Sequence, residues 1–533
     1  LSGNVRQELG EARKLAEDND DYLRNVAALE AVQPKDLTPS QIEVRLNSPW
    51  IPTEVYEQFL ADLLRRSVRV SRSPSAGKWF LTPESRARND QLETLDWGIA
   101  RMPALDIITK HLNRGDMRVY DPDGHGGRVV NRDDTTQVAA KLTKIKAEFE
   151  RWLWSDPNRA DLLTALYNRE INNMHQEPRD GSHLTFPGMS EDVRKKLDPH
   201  QVNAVWRYLT GGNMLLGHVV GAGKSWIMTA AAMEQKRISG NPSFKTMIAV
   251  PNHLVTSGQF VKEILEAYPS AKVLAATPDS LSGIGRRSFL KKMATGNYDI
   301  VVIAHSSFGK IPLNPTHEAE FIQKQIDDLE REIRTARADS DRSYEAELQT
   351  MMANLSDKLS DISASLNRDE LSTYFDDLNI DSLFVDEAHE FKNLAFRTRM
   401  SRVPGVNPSG SNMAFDMWMK TTYFNKATNE KNLMFATGTP IANAIAEMYT
   451  MQRYLQPSEL ARLGLEHFDS WAASFADEVT KPEIDPAGGG MRMHSRLSQY
   501  INMPELSAIF RQVADVQTAD MLVDVLKRPL IGG

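Results

Sequence analysis

A chain of 533 residues, 41% hydrophobic and 25% charged, has room for roughly two to four domains with cores of their own. It contains no cysteine, which excludes disulfides and thiolate zinc sites and suits a reducing, cytoplasmic setting. No apolar run is long enough to cross a bilayer and no signal peptide opens the chain, where Leu1-Ser-Gly-Asn-Val-Arg6 reads as mid-domain sequence. A net charge of −8 excludes a generally basic surface. Any nucleic-acid contact then falls to local patches: Arg286, Arg287, Lys291 and Lys292, or Lys392, Arg397, Arg399 and Arg402.

Residues 1–195 read as an accessory region of mixed α+β character, mostly helical with two hairpins. Ser67 to Arg72 with Lys78 to Leu81, and Met117 to Tyr120 with Arg128 to Val130, flank turns rich in Gly, Pro, Ser and Asp. Asp121 and Asp123 resemble the start of a calcium loop, but its twelfth position is Arg132 rather than Glu, so a plain turn is expected. Between Ala139 and Trp154, Leu142, Ile145, Phe149 and Leu153 recur at the spacing of a packed amphipathic helix.

From about Leu197 the pattern changes to apolar runs alternating with helices, which predicts an α/β fold with a parallel sheet covered by helices on both faces. The expected strands are Met214 to Leu216, Lys245 to Val250, Ala271 to Ala276, Asp299 to Ala304, Ser382 to Val385 and Asn432 to Ala436. Chemistry-bearing strings follow four of them. Gly221-Ala222-Gly223-Lys224-Ser225 is a phosphate loop (P-loop): small residues let backbone N–H groups converge on phosphates, Lys224 reaches the outer ones and the Ser225 hydroxyl holds Mg²⁺. Val250-Pro251-Asn252-His253-Leu254 ends the next strand. Asp386-Glu387-Ala388-His389 supplies one carboxylate, Asp386, for the metal and a second, Glu387, to orient the attacking water. Thr437-Gly438-Thr439-Pro440 follows the last strand. Strand C-termini are where open α/β sheets hold ligands, so the chain reads as a nucleic-acid-dependent ATPase with ATP and Mg²⁺ as cofactors. His218 and His305 are expected to be structural, since no His-Glu-x-x-His string accompanies them.

Between about 314 and 374 the sheet pattern is interrupted. Ile322, Ile326, Leu329 and Ile333, then Leu348, Met352, Leu355, Leu359, Ile362 and Leu366, step by three and four, which predicts an inserted helical hairpin whose apolar seam is satisfied internally. Either a solvated arm or a probe for DNA or a partner fits that pattern. The ATPase region is bounded at 196–460, and 461–533 is expected as a helical linker toward a second lobe.

The strings Leu197-Asp-Pro-His-Gln201, Asp386-Glu-Ala-His-Glu-Phe-Lys392-Asn393 and Ala436-Thr-Gly-Thr-Pro-Ile441-Ala-Asn443, with Glu447, Met448 and Leu455-Gln-Pro457, resemble the first RecA-like lobe of superfamily-two helicases, in the Swi/Snf-like branch with a DEAH box. The first 200 residues, including Leu1-Ser-Gly-Asn-Val-Arg6, Ser48-Pro-Trp-Ile-Pro52 and Asp180-Gly-Ser-His-Leu184, are also similar to the large DNA methylase–helicase fusion proteins of phages and mobile elements. The resemblance implies the ATP-binding motor lobe of a double-stranded-DNA translocase inside a bacterial host cell, part of a DNA modification or antirestriction protein. It also implies a methyltransferase domain before this stretch and a second RecA-like lobe after it, both in the same longer polypeptide. Alternatives are a nucleotide-gated DNA-binding scaffold and the helicase part of a restriction-modification enzyme. By the same resemblance Gln201 reads adenine, Trp226 joins the nucleotide-binding residues, and His389 couples the site to Thr437, Gly438 and Thr439. One departure is His218, which stands where the phosphate loop ordinarily begins with Gly. Arginine fingers carried by a second lobe would lie outside these residues, leaving the 533 residues inactive alone. A methyltransferase reading is opposed by the lack of an Asn-Pro-Pro-Tyr or Asp-Pro-Pro-Tyr string.

Overall fold

The structure, a computed structural model, describes residues 3–48, 50–73, 77–85, 91–122, 127–175, 179–277, 279–281, 285–338, 342–366, 373–400, 410–439, 445–484 and 491–526. They form two compact units, each discontinuous in sequence: 1–177 with 397–406 and 458–509, and 178–396 with 407–457 and 510–533.

In the first unit, the helix Thr53–Leu64 turns Val55, Tyr56, Phe59, Leu60, Leu63 and Leu64 inward, the three-and-four spacing that makes one helix face apolar. Against it lies Arg132–Leu153, whose N-cap Asn131 accepts from the Asp134 backbone N–H and so starts the helix seven residues before the expected Ala139. The rings of Phe59 and Phe149 meet edge to face at 4.9 Å, and Tyr56 stacks on Phe149 at 5.5 Å. Both expected hairpins form, Val68–Ser73 with Lys78–Pro83 and Val119–Pro122 with Arg128–Asn131. Asp121 is bound by Arg101 and Asn131, whereas Asp123 and the rest of the turn at 123–126 lie outside the described residues.

Residues 461–533 are not the helical linker their sequence suggested. Ala476–Ile484 and Met491–Tyr500 pair as an antiparallel ribbon, and Ala514–Gln517 is a further strand.

The second unit holds a seven-stranded sheet with all strands parallel. Its strands are β1 (Met214–His218), β2 (Thr246–Val250), β3 (Val273–Ala276), β4 (Ile300–Ala304), β5 (Ser382–Val385), β6 (Leu433–Ala436) and β7 (Ala514–Gln517), in the order β7-β1-β6-β5-β2-β4-β3. Every residue of β1, β2, β4, β5 and β6 is buried, as in a sheet covered on both faces. The expected α/β class with a parallel sheet and helices is therefore the observed one. Pro199–Thr210 (α1) precedes β1, and Lys224–Ser239 (α2) follows it as the crossover helix.

The inserted hairpin is Pro315–Ala338 (α3) and Arg342–Leu366 (α4). Its distal half has its own core of Leu329, Ile333, Ala336, Tyr344 and Leu348. Its base does not satisfy itself, contrary to expectation. Phe321 meets Trp418 at 4.9 Å, Lys358 sits 4.3 Å over the ring of Phe415, and His317 Nδ1 is 2.6 Å from Asp376 Oδ2. Trp418 and Phe415 belong to the helix Asn412–Thr428 (α5), so half of the arm is anchored on the rest of the second unit.

Candidate functional site

The turn between β1 and α2 is shaped by two left-handed glycines, Gly221 at φ 85° and Gly223 at φ 77°. A Cβ on Gly223 would also stand 2.0 Å from Gln201 Nε2, so the position needs Gly for space as well as for dihedral angle. Gln201 is buried and uses both ends of its amide: Oε1 accepts from Asp198 N–H at 2.9 Å in a capping box, and Nε2 donates to Ala222 O at 3.0 Å. His200 Nε2 reaches the same carbonyl at 3.0 Å, and burial, above all, lowers its pKa, keeping the ring neutral. The start of α1 thus fixes the loop backbone. At the start of α2, Gly223 gives no side-chain cap, so the N–H groups of Lys224 and Ser225 stay directed out of the helix end. Ser225 and Trp226 occupy that first turn; Trp226 is half-buried and its N–H bonds Gly223 O at 3.1 Å.

Lys224 Nζ donates to His218 O at 3.1 Å, which folds the ammonium back along the loop. Nearby, Asp386 ends β5, its N–H bound to Ala249 O at 2.8 Å. Its carboxyl is 6% exposed and pushed up to about 7, first by burial and then by the Glu387 charge, with Lys224 opposing the shift. His305 Nε2 lies 3.0 Å from Asp386 O and clamps the same main chain, consistent with its expected structural part. Glu387 follows at φ 47°, a left-handed conformation that costs a non-glycine residue on the order of 1 kcal/mol.

His389 Nδ1 stands 3.1 Å from Glu387 Oε2 and 3.3 Å from Thr437 Oγ1, and Thr439 N–H donates to that hydroxyl at 3.1 Å. A proton on Nδ1 is donated to the carboxylate, with the hydroxyl oxygen as the longer second acceptor. Gly438 closes the group: a Cβ there would be 2.8 Å from Val220 Cγ2 and 3.6 Å from Lys224 Nζ. Three strings spread over more than 200 residues therefore converge at the C-terminal ends of β1, β5 and β6. Pro440, Ile441 and Asn443 lie outside the described residues.

Sequence reasoning assigned no part to His200 or to Asp515. Asp515, on β7, comes within 3.7 Å of the fully buried His218 ring and 3.9 Å of Arg207. Burial raises its pKa, but these two neighbours bring it below the usual carboxylate value. Val219 N–H also bonds Gln517 O at 3.0 Å, so β7 supports the loop from its outer side. No local signal in Ala514–Gln517 announces this, because the partnership depends on a strand about 300 residues away.

Of the two basic patches, Arg286, Arg287, Lys291 and Lys292 share the helix Gly285–Thr295. Arg286 donates to Lys310 O, and Lys392 pairs with Glu447 at 3.0 Å. Lys392 belongs to the second unit and Arg397 and Arg399 to the first, while Arg402 is outside the described residues. No described helix is long and apolar enough to cross a membrane, and among the described residues no group of three or more His, Cys, Asp or Glu could hold a metal by itself.

The sequence matches two family models, a "Probable helicase domain" over residues 206–518 and a "Domain of unknown function (DUF8437)" over 45–173. It is 23% identical over 448 residues to "Defense against restriction protein B" of Escherichia phage P1, covering 76% of this chain and 19% of that protein. The chain thus spans about a fifth of that relative's length. Among solved structures it is similar to a "Sulfolobus solfataricus SWI2/SNF2 ATPase core in complex with dsDNA", at 14% identity and a TM-score of 0.28 over 53% of this chain and 40% of the other.

Proposed function

Because this chain belongs to the probable helicase domain family, we propose that its second unit is the ATP–Mg²⁺-binding motor lobe of a double-stranded-DNA translocase. By this reading the lobe works within a longer phage or plasmid protein of DNA modification or antirestriction, which also carries a second RecA-like lobe and a methyltransferase domain, inside a bacterial host cell. The observation that carries the reading is the convergence of Lys224, Asp386, Glu387 and Gly438 on one glycine-shaped loop at the strand ends.

The residues suit a magnesium nucleotide. Two left-handed glycines, an uncapped helix start and one ammonium favour phosphate. The Asp386 carboxyl, held near 7, loses its proton readily to a dication, and the Ser225 hydroxyl would complete the protein's share of the metal shell. When bound, Mg²⁺ withdraws charge from the phosphate oxygens. Lys224 would swing from His218 O to the phosphates, and Glu387, steadied by His389, would align a water. Thr437, Gly438 and Thr439 would sense that alignment through the same imidazole. Gln201, Ala222 and Trp226 would frame the nucleotide, with Gln201 acting on adenine only if its amide leaves Ala222 O.

The test is titration of a fluorescent ATP analogue with Mg²⁺. Lys224→Ala should weaken binding at least about tenfold, the scale of a lost charge-assisted contact; equal affinity would overturn the assignment. In the longer protein Glu387→Gln should keep nucleotide affinity while hydrolysis falls at least about 100-fold.

A further inference from the structure

The helix Gly285–Thr295 joins β3 to β4, the two strands at the margin of the sheet opposite β7. Its 11 residues include four cations and no carboxylate, in a chain whose net charge is −8. Leu290 and Met293 are fully buried, and the other side of the helix is an exposed strip of Arg287, Ser288, Lys291, Lys292 and Thr295, at the three-and-four spacing of one face. The strip is held from behind. Lys245, 2% exposed, donates its ammonium to Met293 O at 2.7 Å and to Leu378 O at 3.1 Å, which ties the end of this helix to the turn Phe375–Leu378. Lys291 and Lys292 near the C-terminus suit the helix dipole, but Arg286 and Arg287 at the N-terminus oppose it, and Arg287 with Lys291 is a like-charge pair one turn apart. Arg286 has a structural use, donating to Lys310 O. Lys291 and Lys292 form no ion pair among the described residues, whereas Lys236 meets Asp299 and Lys420 meets Asp416, each at 2.7 Å. The carboxylates of the turn packed on this helix are committed elsewhere: Asp376 accepts from Asn314 N–H at 2.9 Å and Asp377 from Tyr374 N–H at 2.8 Å. A fixed positive strip that departs from the rules of helix stability and meets no acid of its own chain marks a surface for a polyanion.

We propose that this face of Gly285–Thr295 grips the sugar–phosphate backbone of duplex DNA without reading its sequence. The choice of partner rests on the translocase reading above; the geometry of the strip does not. Ammonium and hydroxyl groups are what proteins set against phosphate oxygens, and the strip offers Lys291 and Lys292 as compact charges with the Ser288 hydroxyl beside them. Positions one turn apart stand about 5–6 Å from each other, so the helix presents these groups as a row to follow one strand. The face lies outside the group formed by Lys224, Asp386 and His389, and it adds phosphate contacts that do not depend on bound nucleotide.

Fluorescence anisotropy of labelled duplex DNA, titrated with the whole chain at salt concentrations from about 20 to 200 mM, tests this. Wild type is expected to bind duplexes of unrelated sequence equally, with a log–log salt slope set by the phosphates it contacts. Lys291→Ala with Lys292→Ala should flatten that slope by about 2 and weaken binding at least about tenfold near 0.1 M salt, on every sequence alike. Lys291→Arg with Lys292→Arg should keep the slope, because a phosphate contact needs the charge and not the amine. Both positions face solvent, so neither pair of substitutions should shift the melting temperature. The fluorescent ATP analogue should bind the alanine pair as it binds wild type. A flattened slope beside an inert Lys224→Ala would therefore remove the nucleotide assignment and leave this one standing, and the converse result would remove this one alone. No duplex binding at the lowest salt, an unchanged slope in the alanine pair, or a sequence preference abolished by that pair would each overturn the proposal. So would a polyglutamate peptide that binds more tightly than duplex DNA and is lost in the alanine pair, since it would identify an acidic protein as the partner.

Discussion

Asp386 sets the sharpest tension between folding and chemistry. Its folded pKa of about 7 lies above the ordinary value of 3.8, so folding favours the protonated form. Stability is then fullest at low pH and declines as pH rises from about 4 through 7, by up to about 4 kcal/mol for a shift of this size. Asp386→Asn removes the ionisation. Without nucleotide, the variant should melt close to wild type at pH 4 and several degrees above it at pH 8, while losing Mg²⁺-dependent nucleotide binding. Melting curves at the two pH values check this, and a variant less stable at pH 8 would contradict it. Among residues, Lys224, Asp386 and His389 could be picked from the sequence because their strings end apolar runs. His200 and Asp515 could not, since each acts on the loop from an element whose own residues give no sign of it.

At the scale of elements, six sheet strands were visible as continuous apolar runs, the pattern burial on both faces demands. The seventh was invisible because Ala-Asp-Val-Gln is half polar and only its alanine is buried, as befits an edge strand. The hairpin divides the same way: its period revealed two helices, but not that the aromatic base docks on α5. This yields separate expectations for its halves. Replacing residues 328–352 with a short Gly-Ser turn should leave the melting temperature within a few degrees of wild type, because that half packs on itself. Ile322→Ala, at a fully buried position near the base, should cost about 2–4 kcal/mol in denaturant unfolding.

For the molecule as a whole, the described residues contain one parallel sheet, and therefore one wall of the kind of cleft that the superfamily-two resemblance places between two. An arginine contributed from an opposing lobe is worth on the order of 10³–10⁵ in turnover. Hydrolysis by these 533 residues should accordingly be slow and barely respond to duplex DNA, and a longer chain reaching through a second lobe should restore both. Strong DNA stimulation of the shorter chain would show that the catalytic cation lies within it.

The strand β7 also dictates where this protein can be cut. The motifs end near Pro457, yet the sheet is not complete until Gln517, some sixty residues later, when the chain comes back to lie beside β1. A truncation made just after Ile509, where the first unit ends, would leave the backbone of β1 bare along one margin and open to any extended peptide that meets it. Such a shortened chain should self-associate, and a synthetic peptide of residues 510–526 should return it to a dispersed state by filling the gap, as a donated strand does. The second unit's smallest independent piece is thus drawn by hydrogen bonds between distant segments and not by the run of its signature strings.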